Sequence, residues 1–179
     1  MFPADFSCAP PRPNVMTPAE LATLARLGDR GAFGQIVLLY QDRLFNSLLR
    51  LTGDSDEAAE LTRQTLARAL AKVGEMIGDS PYPWLFGIGC NLALASIHQN
   101  RRRREFKLDD PNERLQAILA ALGKLEAEYR AVLVMREIEE FDYQQMSDAL
   151  TLPVATIKSR LFRARLALRD ELQEQGSRV

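Results

Sequence analysis

Apolar residues recur every three to four positions along this chain, and no segment alternates apolar and polar residues as a half-buried strand would. A period near 3.6 identifies amphipathic helices, whereas strands have a period of two. The clearest stripe lies between residues 33 and 51 and consists of Phe33, Ile36, Val37, Tyr40, Leu44, Leu48 and Leu51. We therefore predict an all-α protein.

Capping residues and breakers divide the chain into helices. The first helix has three start signals: an N-cap at Thr17, a proline at the first helical position, Pro18, and the acid of a capping box, Glu20. Gly28 and Gly53 mark helix ends. The residues 74–83, GEMIGDSPYP, contain two Gly and two Pro and predict a loop. The expected helices are about 18–28, 29–51, 56–73, 84–104, 113–125, 127–139, 143–150 and 154–173.

These helices form two groups that meet near residue 108. We expect a flexible Pro-rich arm at 1–16, a helical domain at 17–104, a linker at 105–112, a second helical domain at 113–173 and a tail at 174–179. Fully extended, the eight linker residues span at most about 26–29 Å. The arm lacks the basic start and apolar run of a signal peptide, and no apolar run approaches the ~20 residues of a transmembrane helix. We expect a cytoplasmic protein.

The composition argues against an enzyme. The single histidine, His98, has no arrangement of nucleophiles around it, and the two cysteines, 82 positions apart, are no disulfide framework. One His and two Cys cannot form a structural zinc site, and no glycine-rich phosphate loop is present. We expect no catalytic residue, no metal and no cofactor.

Residues 143–169 have the layout of a helix–turn–helix, with the short helix YQQMSDAL, the turn 151–153 and a longer helix. At 100° per residue, one stripe of the long helix is apolar and must be buried. It consists of Val154, Ile157, Leu161, Ala164 and Leu168. The residues roughly opposite, which face outwards, are Thr156, Ser159, Arg160 and Arg163, while Lys158, Arg165 and Arg169 flank the buried stripe.

Positive charge is concentrated in this helix although the chain carries a net charge of −1. The stretch LPVATIKSRLFRAR contains four cations and no acid. Outward side chains of this kind can reach base edges in the major groove, and flanking cations can meet phosphates. The pattern favours DNA binding, with a basic solvated helix face as the alternative.

A second basic cluster, Arg101 to Arg104, ends the helix predicted at 84–104. A cation at a helix C-terminus stabilises the helix by only ~0.3–1 kcal/mol. Four consecutive arginines are more than this stabilisation requires, so we interpret them as a phosphate-binding patch. Near the other end of the helix, Tyr82, Trp84 and Phe86 are aromatic residues that can stack unpaired bases. For Trp84 a place in the core is the competing interpretation.

The helix predicted at 56–73 is acidic at its start, with Asp54, Asp56, Glu57 and Glu60, and basic later. An acidic surface beside a DNA-binding face repels DNA and suits a protein partner. A solvated helix face remains the alternative.

Three stretches together resemble the extracytoplasmic-function (ECF, group 4) sigma factors of bacterial RNA polymerase. They are DEAAELTRQTLARAL, PWLFGIGCNLALASIHQNRRRR and EYRAVLVMREIEEFDYQQMSDALTLPVATIKSRLFRARLALRDEL, and the resemblance covers about 17–173. It implies two helical domains, sigma domain 2 at 17–104 and sigma domain 4 at 113–173. It also implies that the protein binds core polymerase and promoter DNA and has an anti-sigma factor as partner.

The resemblance assigns roles to residues of this sequence. Those implied to bind the clamp helices of the polymerase β′ subunit are Asp56, Glu57, Glu60 and Gln64. Those implied to bind the −10 promoter element are Asn91, Arg101, Arg102, Arg103 and Arg104. Those implied to bind the −35 element are Thr156, Lys158, Ser159, Arg160, Arg163 and Arg165, in a domain that also touches the β flap.

The chain departs from the family pattern at several positions. Gly87 and Cys90 stand where members usually carry basic residues, so we expect a weaker −10 surface. Arg63 replaces a residue that is commonly neutral and Gln64 one that is commonly Glu, so we expect an altered polymerase contact. Thr151 replaces the usual Gly of the turn, which is unfavourable if that position needs a positive φ. The linker is also shorter than is usual in the family.

Two other functions remain open at the level of sequence. A stand-alone helix–turn–helix regulator would bind DNA without core polymerase. A degenerate sigma factor that titrates an anti-sigma factor would bind that partner tightly and support no transcription.

Overall fold

The computed structural model describes residues 16–99 and 112–176. Within these ranges the chain forms eight α-helices and no strand, which confirms the all-α prediction. The helices are α1 (Pro18–Arg26), α2 (Arg30–Thr52), α3 (Ser55–Ala71), α4 (Pro81–Gln99), α5 (Glu113–Lys124), α6 (Ala127–Leu133), α7 (Tyr143–Leu150) and α8 (Val154–Gly176). A 3-10 turn at Val73–Glu75 follows α3, and a π-helical turn at Val134–Ile138 continues α6.

The first helix begins at the predicted cap, and the next two begin within one residue of their predicted starts. Thr17 and Glu20 form a reciprocal capping box, in which the Thr17 N–H donates to Glu20 Oε2 at 2.7 Å. Asp29 and Asp54 accept hydrogen bonds from main-chain N–H groups in the first turns of α2 and α3. Gly53 ends α2 with φ of 72°, a left-handed conformation that glycine adopts without steric cost.

Helix α4 begins earlier than the sequence predicts. Pro81 and Pro83 belong to its first turn, so the predicted loop at 74–83 is wrong at its end. A proline in the first turn loses no hydrogen bond, because the N–H groups there have no partner within the helix. The predicted continuation to Arg104 lies outside the described residues.

Helix α4 is apolar on every side, since no charged residue occurs between Pro81 and Ile97. A helix of this kind is buried between other elements. It packs against α2 and α3 on one side and against α7 on the other. None of the helices in 16–99 and 112–176 combines the length and apolar character needed to span a membrane.

The two halves of the chain share one hydrophobic core. Leu44, Leu48 and Phe86 from the N-terminal half and Met135 and Met146 from the C-terminal half belong to the same buried cluster. In α8, which packs on α5, α6 and α7, the predicted apolar stripe faces this core. Its members Ile157, Leu161 and Ala164 are buried, and Val154 and Leu168 are half-buried.

Candidate nucleic-acid and polymerase interfaces

The predicted DNA-reading face of α8 is largely open. Thr156, Ser159 and Arg163 are exposed, whereas Arg160 is half-buried rather than fully outward. The four side chains line a shallow groove against the start of α6, which contributes Glu126, Glu128 and Tyr129. One surface of α8 therefore presents the hydroxyl groups of Thr156 and Ser159 together with two guanidinium groups.

The half-buried position of Arg160 brings it near α4. Burial raises the pKa of the Cys90 thiol to about 12, and the positive charge of Arg160 opposes that rise. The thiol of Cys90 in α4 thus lies within electrostatic reach of the recognition helix. The outward stripe deduced from sequence is therefore not fully exposed, since Arg160 is half-buried.

The flanking cations of α8 have partners that phosphate could replace. Both Arg165 Nη2 and Nε donate to Glu137 Oε1, at 2.6 and 3.0 Å. Lys158 Nζ lies 5.1 Å from the centre of the Tyr143 ring. Both cations are exposed, and exposed ion pairs contribute only ~0–1 kcal/mol, so little free energy opposes an exchange of partners.

Asn91 is the only predicted −10 residue that lies within the described ranges, because Arg101, Arg102, Arg103 and Arg104 fall outside them. Its side chain is exposed, and its Nδ2 donates to the main-chain oxygen of Ala149 at 3.2 Å. The candidate DNA-facing amide is therefore bound to α7.

Two of the three aromatic residues considered for base stacking are core residues. Tyr82 and Phe86 are 2% and 0% exposed, and each packs edge-on against Phe141 with ring centres 5.9 and 5.7 Å apart. The stacking expectation is wrong for both, because the apolar surroundings of α4 bury its first turns. Trp84 is half-buried against the core and lines a groove with Ile77.

The acidic surface of α3 is exposed but internally paired. Glu60 accepts hydrogen bonds from Arg63 at 2.6 and 2.9 Å and from Gln64 at 2.8 Å. These bonds, Arg63 first, lower the pKa of Glu60 to about 2. Glu57 accepts from Ser96 Oγ of α4 at 2.6 Å, while Asp56 is exposed. The four predicted polymerase contacts thus lie within the first three turns of α3.

A buried polar cluster that the sequence did not reveal joins the two halves. The Glu139 side chain is 3% exposed and accepts from Arg43 Nε at 2.7 Å and from the Ser47 hydroxyl. Tyr82 lies 3.2 Å from the same hydroxyl, and the Arg43 guanidinium covers its ring at 4.2 Å. Because Arg43 and Glu139 are 96 positions apart, no spacing rule could have paired them.

Two glycines of α4 mark its closest contacts. A Cβ placed on Gly87 would lie 2.9 Å from Ala149 Cα, and one on Gly89 would lie 3.0 Å from Thr65 Oγ1. Only a residue without a side chain permits such approaches. The departure noted at Gly87 therefore permits close packing against α7, and Gly89 permits close packing against α3.

Residues 115–168 match the family model of Sigma-70, region 4. This range contains α6, α7 and the basic part of α8.

Two curated relatives and one solved structure show the same likeness. The chain is 31% identical to the ECF RNA polymerase sigma factor SigE of Mycolicibacterium smegmatis, over 89% of this chain and 70% of that protein. It is 33% identical to the ECF RNA polymerase sigma factor SigL of Mycobacterium tuberculosis, over 74% of this chain and 84% of that one. The fold is similar to that of the sigma factor RpoE in complex with the anti-sigma factor NepR from Bartonella quintana. That match has a TM-score of 0.69 and 27% identity and covers 79% of this chain and 96% of the other.

Proposed function

The chain belongs to the ECF sigma factors of bacterial RNA polymerase, and on that basis we propose that it binds core polymerase and directs it to promoters. It acts in the cytoplasm as a binding subunit without catalysis of its own. The observation that carries this proposal is the region 4 match over 115–168, because the exposed cations of α8 lie inside it.

Each half of the molecule has its own role. Residues 17–104 form sigma domain 2, whose α3 residues Asp56, Glu57, Glu60 and Gln64 bind the β′ clamp helices. Asn91 and the arginines 101–104 of this domain bind the −10 element. Residues 113–173 form sigma domain 4, which touches the β flap. In that domain Thr156, Ser159, Arg160 and Arg163 read the −35 element, and Lys158 and Arg165 bind phosphates.

An anti-sigma factor is the regulatory partner in this proposal. The solved sigma factor RpoE that the chain resembles is bound to the anti-sigma factor NepR. The resemblance extends over both halves of the present chain. A partner that clamps the two halves together would hide their polymerase-facing surfaces.

Run-off transcription with purified core polymerase and a promoter library tests the function. The test variant is Arg160→Ala/Arg163→Ala, and the control is Arg30→Ala/Arg114→Ala, which removes the same charge from two exposed positions elsewhere. We expect promoter-dependent transcripts with the wild type and the control and none with the test variant. Core binding without transcripts from the wild type would contradict the proposal, as would DNA binding that does not depend on core polymerase.

A further inference from the structure

We propose that the Pro-rich arm of this chain docks, through residues 10–13, into a surface groove beside Trp84. The groove has a volume of about 380 Å³, and we call it the Trp84 groove. It is lined by the 75–80 segment, α4 and α7, and its lining includes Ile77, Asp79, Trp84 and Asp148. This docking goes beyond the proposed function and does not depend on it.

The Trp84 groove presents apolar side chains to solvent. Ile77 is 70% exposed, and Trp84 and Ile88 are half-buried. All three line the same groove. Large apolar side chains that stay accessible beside one another and are bordered by polar residues mark a surface that binds another chain segment.

Acidic side chains line the same groove. They are Glu75, Asp79 and Asp148, and none of the described lining residues is a cation. Glu75 pairs with Lys72 at 3.3 Å, whereas Asp79 is exposed and has no ion-pair partner within residues 16–99 and 112–176. The Trp84 groove therefore suits a segment that combines apolar residues with a cation.

The segment that carries Ile77 and Asp79 is held to α1. Arg26 Nη1 donates to the main-chain oxygen of Gly78 at 2.9 Å and to that of Met76 at 3.4 Å. The Met76 side chain is buried in the core. This wall of the groove is thus preformed, so a docking segment does not have to supply the free energy of ordering it.

The arm contains a segment of the required chemistry. Residues 10–13, PPRP, have the P-x-x-P spacing and include Arg12, the only Lys or Arg among residues 1–15. Three prolines in four residues favour the polyproline II helix, which docks into aromatic-lined grooves at a low cost in conformational entropy. Arg12 adds the charge that the acidic lining residues attract.

The arm joins the described chain next to the Trp84 groove. Met16 packs against the core and shares a shallow depression with Asp79, which also lines the Trp84 groove. At ~3.1 Å per residue, the four residues from Met16 back to Arg12 span about 12 Å, so Arg12 can reach Asp79 and Pro10 can continue towards Trp84. A segment tethered this closely has an effective concentration on the order of 1 mM, which favours it over a free ligand of the same chemistry.

Trp84 is the only tryptophan of the chain, so its fluorescence reports on this groove alone. Quenching by acrylamide measures how far the indole is shielded, and a neutral quencher is not attracted or repelled by altered charges. The test variants of the full chain are Arg12→Glu, Asp79→Arg and the charge swap Arg12→Glu/Asp79→Arg. The matched controls, Arg30→Glu and Asp42→Arg, reverse charges at exposed positions of α2. Circular dichroism verifies that the helices remain.

We expect each single test variant to expose Trp84 and the charge swap to shield it again. With an intrinsic dissociation constant of about 0.1 mM the arm is docked about nine-tenths of the time, and a tenfold weaker affinity leaves it docked about half the time. Each single reversal replaces an attraction by a repulsion, so the undocked fraction should rise about fivefold and acrylamide quenching should rise with it. Both controls should match the wild type.

Three results would overturn this docking. One is equal quenching in the wild type and both single test variants, and another is a charge swap that does not restore the shielding. The third is shielding that weakens on dilution, which would assign the groove to the arm of a second copy. Run-off transcription is measured separately, so a chain that gives no transcripts but shows the expected quenching would lose the proposed function and keep the docking.

Discussion

The guanidinium of Arg130 in α6 donates a hydrogen bond to the main-chain oxygen of Leu51, the penultimate residue of α2. The same side chain also donates to the oxygens of Leu122, Gly123 and Leu125, at 3.0–3.1 Å. One buried cation therefore serves the C-terminal ends of two helices, α2 and α5, where main-chain oxygens lack partners and the helix dipole is negative.

Arg130→Met should lower the free energy of unfolding by about 3 kcal/mol, because the lost donors leave buried carbonyl oxygens unsatisfied. Urea unfolding followed by circular dichroism measures the change. Arg68→Met is the control, since Arg68 is exposed and its replacement should cost less than about 0.5 kcal/mol. Equal losses in the two variants would refute a structural role for Arg130.

Thr151→Gly should stabilise the chain. Thr151 has φ of 54° and ψ of 44°, a left-handed conformation that costs a residue with a Cβ ~1–2 kcal/mol. Glycine recovers part of this but loses more backbone entropy on folding, so we expect a net gain of about 0.5–1 kcal/mol. The midpoint of thermal unfolding measures this gain in stability. Gly53→Ala, at φ of 72°, should shift the midpoint the opposite way, and a lower midpoint for Thr151→Gly would be inconsistent with strain at the turn.

Gly89→Ala should destabilise the N-terminal half. The new methyl group would lie 3.0 Å from Thr65 Oγ1 and 3.2 Å from Leu48 Cδ2, and overpacking of this kind costs about 1–3 kcal/mol. Gly34→Ala has open space around the new methyl group and should gain up to about 1 kcal/mol. The urea midpoints of the two variants are expected to lie on opposite sides of the wild type, and midpoints on the same side would contradict this packing.

Cys90 should resist alkylation in the native chain. The thiol is fully buried and its pKa is raised to about 12, so at pH 8 it is both inaccessible and protonated. In a Cys8→Ala background, mass spectrometry after iodoacetamide treatment should detect modification only in urea. Rapid labelling of the folded Cys8→Ala chain would show that the Cys90 thiol is not buried.

Arg63→Ala should return the pKa of Glu60 from about 2 towards its ordinary value, since the hydrogen bond from Arg63 is the largest cause of the depression. NMR titration of the Glu60 side chain measures this. The freed carboxylate should also bind core polymerase more tightly if it contacts the β′ subunit. Lys72→Ala, which breaks the exposed pair with Glu75, should change neither quantity. A Glu60 pKa unmoved in Arg63→Ala would disprove the pairing.

The helical period and the caps predicted most element positions, because they depend on neighbours in sequence. Thr17 caps α1 as predicted, and α2 and α3 begin within one residue of their predicted starts. The period also identified the buried stripe of α8. It could not identify what a buried face packs against. The period therefore does not distinguish base-stacking residues from core residues at Tyr82 and Phe86, which pack against Phe141 in the core.

The candidate site shows the same limit. The exposed cations of α8 could be predicted from sequence, as could the position of the acids of α3. That Glu60 is already paired with Arg63 follows from their spacing of three residues. The bond from Asn91 to Ala149, across 58 positions, depends on tertiary packing and had no local signal.

The π-helical turn at Val134–Ile138 has a consequence for how this sequence tolerates insertions and deletions. A π turn holds one residue more than the α turn it replaces, and each residue of an α-helix rotates the chain by about 100°. Removing any one residue from this turn would let α6 continue as a regular helix and rotate Glu139 away from Ser47 and Arg43. The orientation of Glu139 towards α2 thus depends on the number of residues in this turn. A deletion here would be far more disruptive than most substitutions at the same positions.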